Sequence, residues 1–195
     1  MAGALDGITI LDFTRFQQGT FAMVLQGEIA ELGGAPLVSA FLSGLLQTTT
    51  DRRVSVVNAD AIARELGIRV DVRGEPRKDA FAASLRVSGG ATSVAGSIVH
   101  DGPRIIDISG FEIDAVPAGA VLMTRHKDVP GMIGKVGTIL GNAAVNISAM
   151  QVSRNYIGGD AIMMLSIDKT AGEETVAQLR NISGIHDVLS LQFPK

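Results

Sequence analysis

Residues 125–150 read RHKDVPGMIGKVGTILGNAAVNISAM, and this stretch decides the fold of the second half of the chain. Three polar side chains, those of His126, Asp128 and Asn146, bracket a segment that is otherwise small and apolar. The pattern predicts a strand that ends at His126 and a helix that starts near Pro130, a residue favoured in the first helical turn. His126 and Asp128 would then lie beside free backbone N–H groups, where small anions are stabilised.

The chemistry of these three residues suits a small zwitterion, so they are the candidate binding site for an amino acid. A carboxylate accepts hydrogen bonds from an ammonium group, while an imidazole and an amide bond to a carboxylate or a hydroxyl. Each residue also has a structural interpretation that the sequence leaves open. Asp128 suits a helix cap, Asn146 a turn after the helix, and His126 a surface position on the strand.

Strand-like and helix-like runs alternate around this stretch, from residue 120 to the end of the chain. Strands are predicted at 120–125, 147–153, 160–168 and 186–193, and helices at 131–144 and 173–182. Because 155–159 is long enough for a hairpin loop, the strands on either side of it should pair antiparallel. The order β-α-β-β-α-β predicts a ferredoxin-like domain, with a four-stranded antiparallel sheet and both helices on one face.

Glycines recur every three or four residues in the first of these helices, at 131, 134, 137 and 141. That spacing places them on a shared face and lets the helix backbone approach a neighbour closely. We expect tight packing of this face against the sheet or against another helix.

The region upstream predicts a second small α+β domain. Helices are predicted at 36–46 and 58–66, the latter with Asn58 as its N-cap, and strands at 68–73, 82–87, 92–99 and 104–108. Proline and glycine interrupt the periodicity at 115–119, which marks a short connector. The predicted organisation is a segment of uncertain origin (1–23), an intervening domain (24–117) and the ferredoxin-like domain (118–195).

Composition limits the classes of function. The chain has 195 residues, of which 46% are hydrophobic and 19% charged, and a mean hydropathy of +0.30, as expected of a folded globular protein. The net charge of -3 and the absence of a Lys/Arg run predict neither nucleic acid nor a membrane as partner. No cysteine is present, which suits a reducing compartment, and no signal peptide is recognised, so a cytoplasmic location is predicted.

No familiar catalytic motif is present in the sequence. The nucleotide-binding G-x-G-x-x-G and G-x-x-x-x-G-K-[ST], the nucleophile motif G-x-S-x-G and the zinc motif His-Glu-x-x-His are all missing, so we predict no catalytic residue, no cofactor and no metal. Basic residues between 69 and 86 offer a possible anion site, for which Arg73, Arg77 and Lys78 are named. A solvated loop is the competing interpretation of that segment.

The quoted stretch carries a family resemblance. The runs HKDVPGMIGKVGTILGNAAVNISAMQVSR, GGDAIMMLSID and GIHDVLSLQF resemble the ACT domain of D-3-phosphoglycerate dehydrogenases. Upstream, GEIAEL, SAFLSGLLQ, VNADAIARELGI and IVHDGPRIIDISGFEIDAVPAG resemble the intervening, or allosteric substrate-binding, domain of the long form of that family. The resemblance covers residues 24–195.

This resemblance implies a role in regulating serine biosynthesis. In the family the ACT domain binds L-serine between subunits and inhibits the dehydrogenase, and His126, Asp128 and Asn146 fall on the effector positions. The catalytic half, with its nicotinamide-binding fold, would occupy several hundred preceding residues, so this chain is not expected to oxidise phosphoglycerate.

The N-terminal run LDGITILDFTRFQQGTFAMVL resembles a different family, the family III CoA-transferases. Thr20 stands where that family has proline, and its catalytic aspartate would lie far beyond this run. We therefore expect a fused or truncated gene without CoA-transferase activity. In it residues 8–12 can form a strand, and residues 21–28 can supply the first strand of the intervening domain.

Three functions remain open at the level of sequence. The first is a non-catalytic regulatory chain that forms homo-oligomers through ACT domains paired edge to edge and binds L-serine or another small amino acid. The second is an interaction module that binds a dehydrogenase subunit and senses nothing. The third is an enzyme, either a degraded CoA-transferase or a dehydrogenase acting in trans.

Overall fold

A computed structural model of the protein describes residues 19–31, 33–47, 49–76, 81–99 and 102–193. The chain divides into two compact units, between Ser109 and Gly110. Each unit has its own hydrophobic core and is described by itself. Within the described ranges, no helix is both long and apolar enough to span a membrane.

The first unit is a mixed sheet with helices on one face. Its elements are β1 (Gly19–Gly27), a 3-10 turn (Glu28–Glu31), α1 (Ala35–Gln47), α2 (Ala59–Glu65), β2 (Ile68–Glu75), β3 (Ala83–Gly89), β4 (Thr92–Val99) and β5 (Gly102–Ile108). The strands follow the order β2-β1-β3-β4-β5, in which β1 and β2 are parallel and the other neighbours antiparallel. The parallel pair is joined through α1 and α2, because parallel neighbours need a long crossover.

Alternation along β1 explains which face is covered. Phe21, Met23 and Leu25 are buried, and they form one core with residues of both helices, including Phe41 and Ile62. The residues between them point to the other face, since successive strand side chains alternate. The hydrophobic pattern therefore sets both the strand and the side on which the helices pack.

Two details of this unit differ from the sequence-based expectations. The strand expected at 21–28 is present as β1, but it begins earlier, at Gly19, so part of the segment 1–23 belongs to the sheet, where it pairs with β2 and β3. Asn58 is the N-cap residue of α2, as predicted, but its side chain makes no capping bond; it accepts a hydrogen bond from the Ser55 N–H at 2.8 Å and donates one to the Arg53 carbonyl at 3.0 Å. The strand predicted at 8–12 lies outside the described residues.

The second unit contains a ferredoxin-like domain, as predicted. After a short strand β6 (Phe111–Ala115) its elements are β7 (Ala120–Lys127), α3 (Met132–Asn142), β8 (Ile147–Arg154), β9 (Asp160–Ile167), α4 (Glu173–Arg180) and β10 (Ile185–Gln192). The sheet has the order β10-β7-β9-β8, and all its neighbours are antiparallel. β6, which was not predicted, lies near β8 and β9 but is not hydrogen-bonded into their four-stranded sheet, so β8 remains its edge strand.

Both helices cover the same face of this sheet. Val136 and Leu140 of α3 and Leu179 of α4 are fully buried in one core with Leu122 and Leu165 of the strands. α4 lies against β10, and α3 lies beside α4. Because β10 is one edge of the sheet, α3 covers the half that ends at the opposite edge, β8.

The glycine face of α3 is open within the chain. A Cβ atom built at Gly134, Gly137 or Gly141 would meet no atom within 4 Å. The expectation that these glycines allow tight packing is therefore wrong for contacts inside the chain, whose core instead uses Met132, Val136 and Leu140. The helix presents a surface that another backbone can approach closely.

Candidate functional site

His126 is a buried residue of β7. Its side chain is 2% exposed and lies on the helix-covered face, opposite Ala161 of β9. Thr124 Oγ1 lies 3.1 Å from its Nδ1 atom. Burial disfavours the charged ring and lowers the pKa of His126, so the imidazole is neutral at pH 7 and acts as a hydrogen-bonding group. The interpretation of His126 as a surface residue is wrong.

Asp128 lies just beyond the end of β7 and is fixed by the hairpin loop between β8 and β9. Its backbone N–H donates to the Gly159 carbonyl at 2.8 Å. Its Oδ2 atom accepts hydrogen bonds from Arg154 Nη1 at 2.8 Å and from the Gly158 N–H at 3.2 Å. The Arg154 bond, aided by Gly158, lowers the pKa of Asp128 and keeps the carboxylate ionised.

Asp128 is therefore not a helix cap. α3 begins at Met132, and its N-cap residue is Gly131, which has a φ of 84° and makes no side-chain capping bond. That left-handed conformation explains why glycine stands here. The Asp128 carboxylate instead points to the loop 155–159.

Asn146 occupies the turn before β8. Its backbone N–H donates to Asp168 Oδ1 at 3.0 Å, and its carbonyl accepts from the Asp168 N–H at 3.1 Å. These two bonds fix the backbone, while the residue as a whole is exposed. The turn interpretation agrees with this geometry and leaves the amide side chain available.

The three predicted residues do not converge within one chain. His126 pairs with Ala161 at one end of β9, whereas Ile147, the neighbour of Asn146, pairs with Ile167 at the other end. Six residues of strand separate these positions, a distance of about 20 Å. Asp128 belongs to the His126 end, so within one chain the three residues form two separate groups, which we call the half-sites of the predicted site.

Two residues that the sequence did not single out complete the His126 half-site. Arg154 and Gly158 both donate to Asp128, and Arg154 pairs with Ala161 on the side opposite His126. The predicted hairpin at 155–159 was the signal for Arg154, because antiparallel pairing across that loop places the end of one strand opposite the start of the next.

An apolar surface runs along the free edge of the sheet; we call it the edge patch and define it as Ile133, Gly137, Gly141, Met150 and Val152. Ile133, Met150 and Val152 are 49%, 42% and 42% exposed, respectively. Ile133, Gly137 and Gly141 are spaced by four residues on α3 and lie on the side of the helix away from α4. Lys135 and Ile139 lie on the opposite side, toward α4. Met150 and Val152 lie on β8 opposite the core residues Leu165 and Met163, hence on the same face as α3.

A charged group lies on the other face of the sheet at the same end. Asp160 has Lys127 Nζ at 2.7 Å, His186 Nε2 at 3.6 Å and Arg125 Nη2 at 3.8 Å. The Lys127 bond lowers the pKa of Asp160 and raises that of Lys127. Because neighbouring residues of β7 alternate between faces, this group is separate from the half-site of His126.

The predicted anion site is only partly described. Arg73 is exposed on β2 opposite Val24, and Arg86 flanks Val24 on the other side and pairs with Asp107. Arg77 and Lys78 lie outside the described residues, so the anion site stays a prediction. In the part of the chain that the structure covers, no group of three or more His, Asp or Glu residues could hold a metal ion.

Comparison with known families assigns both units. Residues 12–109 match the D-3-phosphoglycerate dehydrogenase intervening domain, and residues 120–184 match the ACT domain. The first match starts at residue 12, upstream of the predicted boundary at 24. The likeness of the N-terminal run to CoA-transferases finds no support in these matches.

Individual relatives agree with the family matches. The chain is 38% identical to D-3-phosphoglycerate dehydrogenase of Bacillus subtilis, over 89% of this chain and 34% of that protein. Identity is 37% to the enzyme of Synechocystis, over 87% and 32%, and 31% to that of Methanocaldococcus jannaschii, over 85% and 32%. The chain therefore spans about a third of the length of the curated relatives it matches.

Proposed function

Because the chain belongs to the D-3-phosphoglycerate dehydrogenase intervening-domain family and carries an ACT domain, we propose that it is a regulatory chain that senses L-serine. The observation that carries the proposal is the separation of the two half-sites. His126 and Asp128 lie at one end of the ACT sheet and Asn146 at the other, so two chains are needed to complete a site.

Two-fold pairing of the free edges would bring the half-sites together. β8 ends the sheet, and five consecutive residues of it, 148–152, are exposed. If two copies of β8 pair antiparallel along their whole length, residue 147 of one lies opposite residue 154 of the other. Asn146 of one protomer then approaches Arg154 of its partner, beside the partner's Asp128.

The edge patch supports a second copy of this chain as the occupant of that edge. It combines exposed apolar side chains of Ile133, Met150 and Val152 with the glycine positions that meet no atom of their own chain. Two-fold symmetry makes such a patch self-complementary, and glycines let two α3 helices approach closely. Pairing would also cover the unpaired backbone groups of an edge strand, which otherwise invite uncontrolled association.

The half-sites supply matching chemistry for an amino acid. The ionised Asp128 accepts from an ammonium group, and the neutral His126 and the Asn146 amide bond to a hydroxyl or a carboxylate. A ligand held by both protomers binds the paired form preferentially, so it stabilises the pair by mass action. This linkage is how serine would act on the rest of a dehydrogenase assembly.

Calorimetric titration of the full chain with L-serine tests the proposal. D-serine, L-alanine and glycine serve as ligand controls, since they change the configuration or remove the hydroxyl. Saturable heat with L-serine, reduced in Asn146→Ala, supports the sensor. The proposal fails if none of the four amino acids gives heat or shifts the unfolding temperature.

In the proposed role this chain does not itself carry out the dehydrogenase reaction. An assay with phosphohydroxypyruvate and NADH at high protein concentration checks this. Turnover above the buffer control would show that the chain carries its own catalytic site and would contradict the assignment.

A second function is favoured by the edge patch alone, because an apolar edge can associate without any ligand. In that case the chain is an oligomerisation module for a dehydrogenase. Stable pairing that is unaffected by L-serine, measured by sedimentation with and without the amino acid, would favour this module over the sensor.

A further inference from the structure

Arg154 and His126 occupy equivalent places on either side of one small residue. Both pair with Ala161, His126 from β7 and Arg154 from β8, so the three residues form a row across the helix-covered face. The Cα atoms at the ends of the row are about 10 Å apart, two strand spacings. Ala161 between them is fully buried, so a ligand would reach this half-site through the exposed Arg154 and the partly exposed Asp128.

Asp128 lies next to this row, just beyond the end of β7, where it contacts Arg154. Its Oδ2 atom is 2.8 Å from Arg154 Nη1, so a negative and a positive group stand side by side at this half-site. Arg154 is 51% exposed, and the Asp128 bond engages one nitrogen of a guanidinium that carries five N–H donors. The planar fork of arginine suits a carboxylate, to which it donates two parallel hydrogen bonds.

Building on the proposed function, we propose that Arg154 binds the carboxylate of the amino-acid ligand while Asp128 holds its ammonium group. The ion pair would thus be a receptor for a zwitterion, with Arg154 as the residue that selects ligands bearing a free carboxylate. Asn146 of the partner approaches this same end of β8 in the two-fold pairing, where it is placed to bond to the ligand side chain.

A purely structural role for Arg154 makes a different prediction. The Asp128–Arg154 pair also ties β8 to the end of β7, next to the Gly158 bond to the same oxygen. If Arg154 served only to hold the loop, its loss would weaken all ligands of the site equally. If it binds the carboxylate, its loss weakens only ligands that have one.

The test compares L-serine with L-serinamide, in which a neutral amide replaces the carboxylate, by calorimetry on the full-length chain. We expect wild type to prefer L-serine by about ten- to a hundredfold, the range of one charge-assisted hydrogen-bonded pair. In Arg154→Met the affinity for L-serine should fall by a similar factor, while that for L-serinamide stays unchanged. Arg154→Lys, which keeps the charge but not the fork, should show an intermediate preference.

Each result decides between the possibilities. An equal loss for both ligands, or an unchanged preference for L-serine in Arg154→Met, overturns the role of Arg154 and leaves the sensor intact. No binding of L-serine by wild type overturns the sensor and this inference together. Circular dichroism checks the fold of Arg154→Met, and if that variant does not fold, an unchanged preference in Arg154→Lys overturns the inference.

Discussion

Thr124 Oγ1 lies 3.1 Å from His126 Nδ1, and both side chains are buried on the helix-covered face of the ACT sheet. A hydrogen bond with the Thr124 backbone and the charge of Asp128 favour the protonated ring, but desolvation outweighs them and lowers the pKa of His126. A neutral imidazole at this position can donate from one ring nitrogen and accept at the other, which suits a ligand hydroxyl.

The first prediction is a dependence of stability on pH. In the unfolded chain His126 has its ordinary pKa of about 6.5, above its value in the folded chain, so the unfolded state binds more protons in between. The free energy of unfolding is therefore fully retained above about pH 7 and falls as the pH drops below about 6.5. Urea unfolding between pH 5 and pH 8 measures this slope.

His126→Gln should flatten the slope, because it removes the buried group that titrates. The control is Gln178→Ala, a change without a titratable group at an exposed position of α4, and it should leave the slope as in wild type. Equal slopes in wild type and His126→Gln would contradict the prediction.

The fold of the ACT unit followed from the sequence because its signals are local. Helical spacing at Val136 and Leu140 and the glycine pair after Ile157 predict elements without knowledge of distant contacts. Strand β6 was missed, although its residues FEIDA alternate between apolar and acidic with the two-residue period of a strand.

The site was predicted less completely than the fold, because its geometry depends on the register between β7, β8 and β9. Chemistry pointed to His126, Asp128 and Asn146, but the position of Asn146 at the far end of the sheet depends on how β7, β8 and β9 align. The predicted hairpin at 155–159 pointed to Arg154, but its contact with Asp128 depends on the same alignment. The burial of His126 also depends on tertiary packing, since a histidine at the end of a strand is as compatible with solvent as with the core.

The second prediction concerns the core beneath the site. Leu140 is fully buried between α3 and the sheet, so Leu140→Ala should lower the free energy of unfolding by about 2–5 kcal/mol. Lys135→Ala, an exposed change on the same helix, should stay within about 0.5 kcal/mol. Urea denaturation measures both, and a loss below about 1 kcal/mol for Leu140→Ala would contradict the packing.

The third prediction concerns the edge patch. A Cβ atom at Gly137 meets nothing in its own chain, so Gly137→Leu should leave the folded protomer intact and favour its helix. In the proposed pair the same side chain would separate the two α3 helices. We expect the dissociation constant of the dimer, measured by sedimentation equilibrium, to rise by about five- to a hundredfold.

Gln178→Leu is the control for this change, because it adds the same side chain to an exposed position of α4, outside the edge patch. It should leave the dissociation constant unchanged. Equal dimerisation of wild type and Gly137→Leu would show that the edge patch is not the interface.

The fourth prediction uses the division of the site between protomers. Asp128→Ala and Asn146→Ala should each weaken L-serine binding as pure proteins, with Asn146→Ala losing about 1–3 kcal/mol, a factor of about five to a hundred.

A mixed pair contains one chain of each variant. One of its two sites carries both alanine substitutions, whereas the other combines the unchanged Asp128 of one chain with the unchanged Asn146 of its partner. Refolding the two variants together in equal amounts should therefore restore high-affinity binding at about a quarter of all sites, because half of the randomly formed pairs are mixed. Calorimetric stoichiometry measures that fraction. If Asp128 and Asn146 of the same chain formed the site, every chain in the mixture would remain defective and no site would recover.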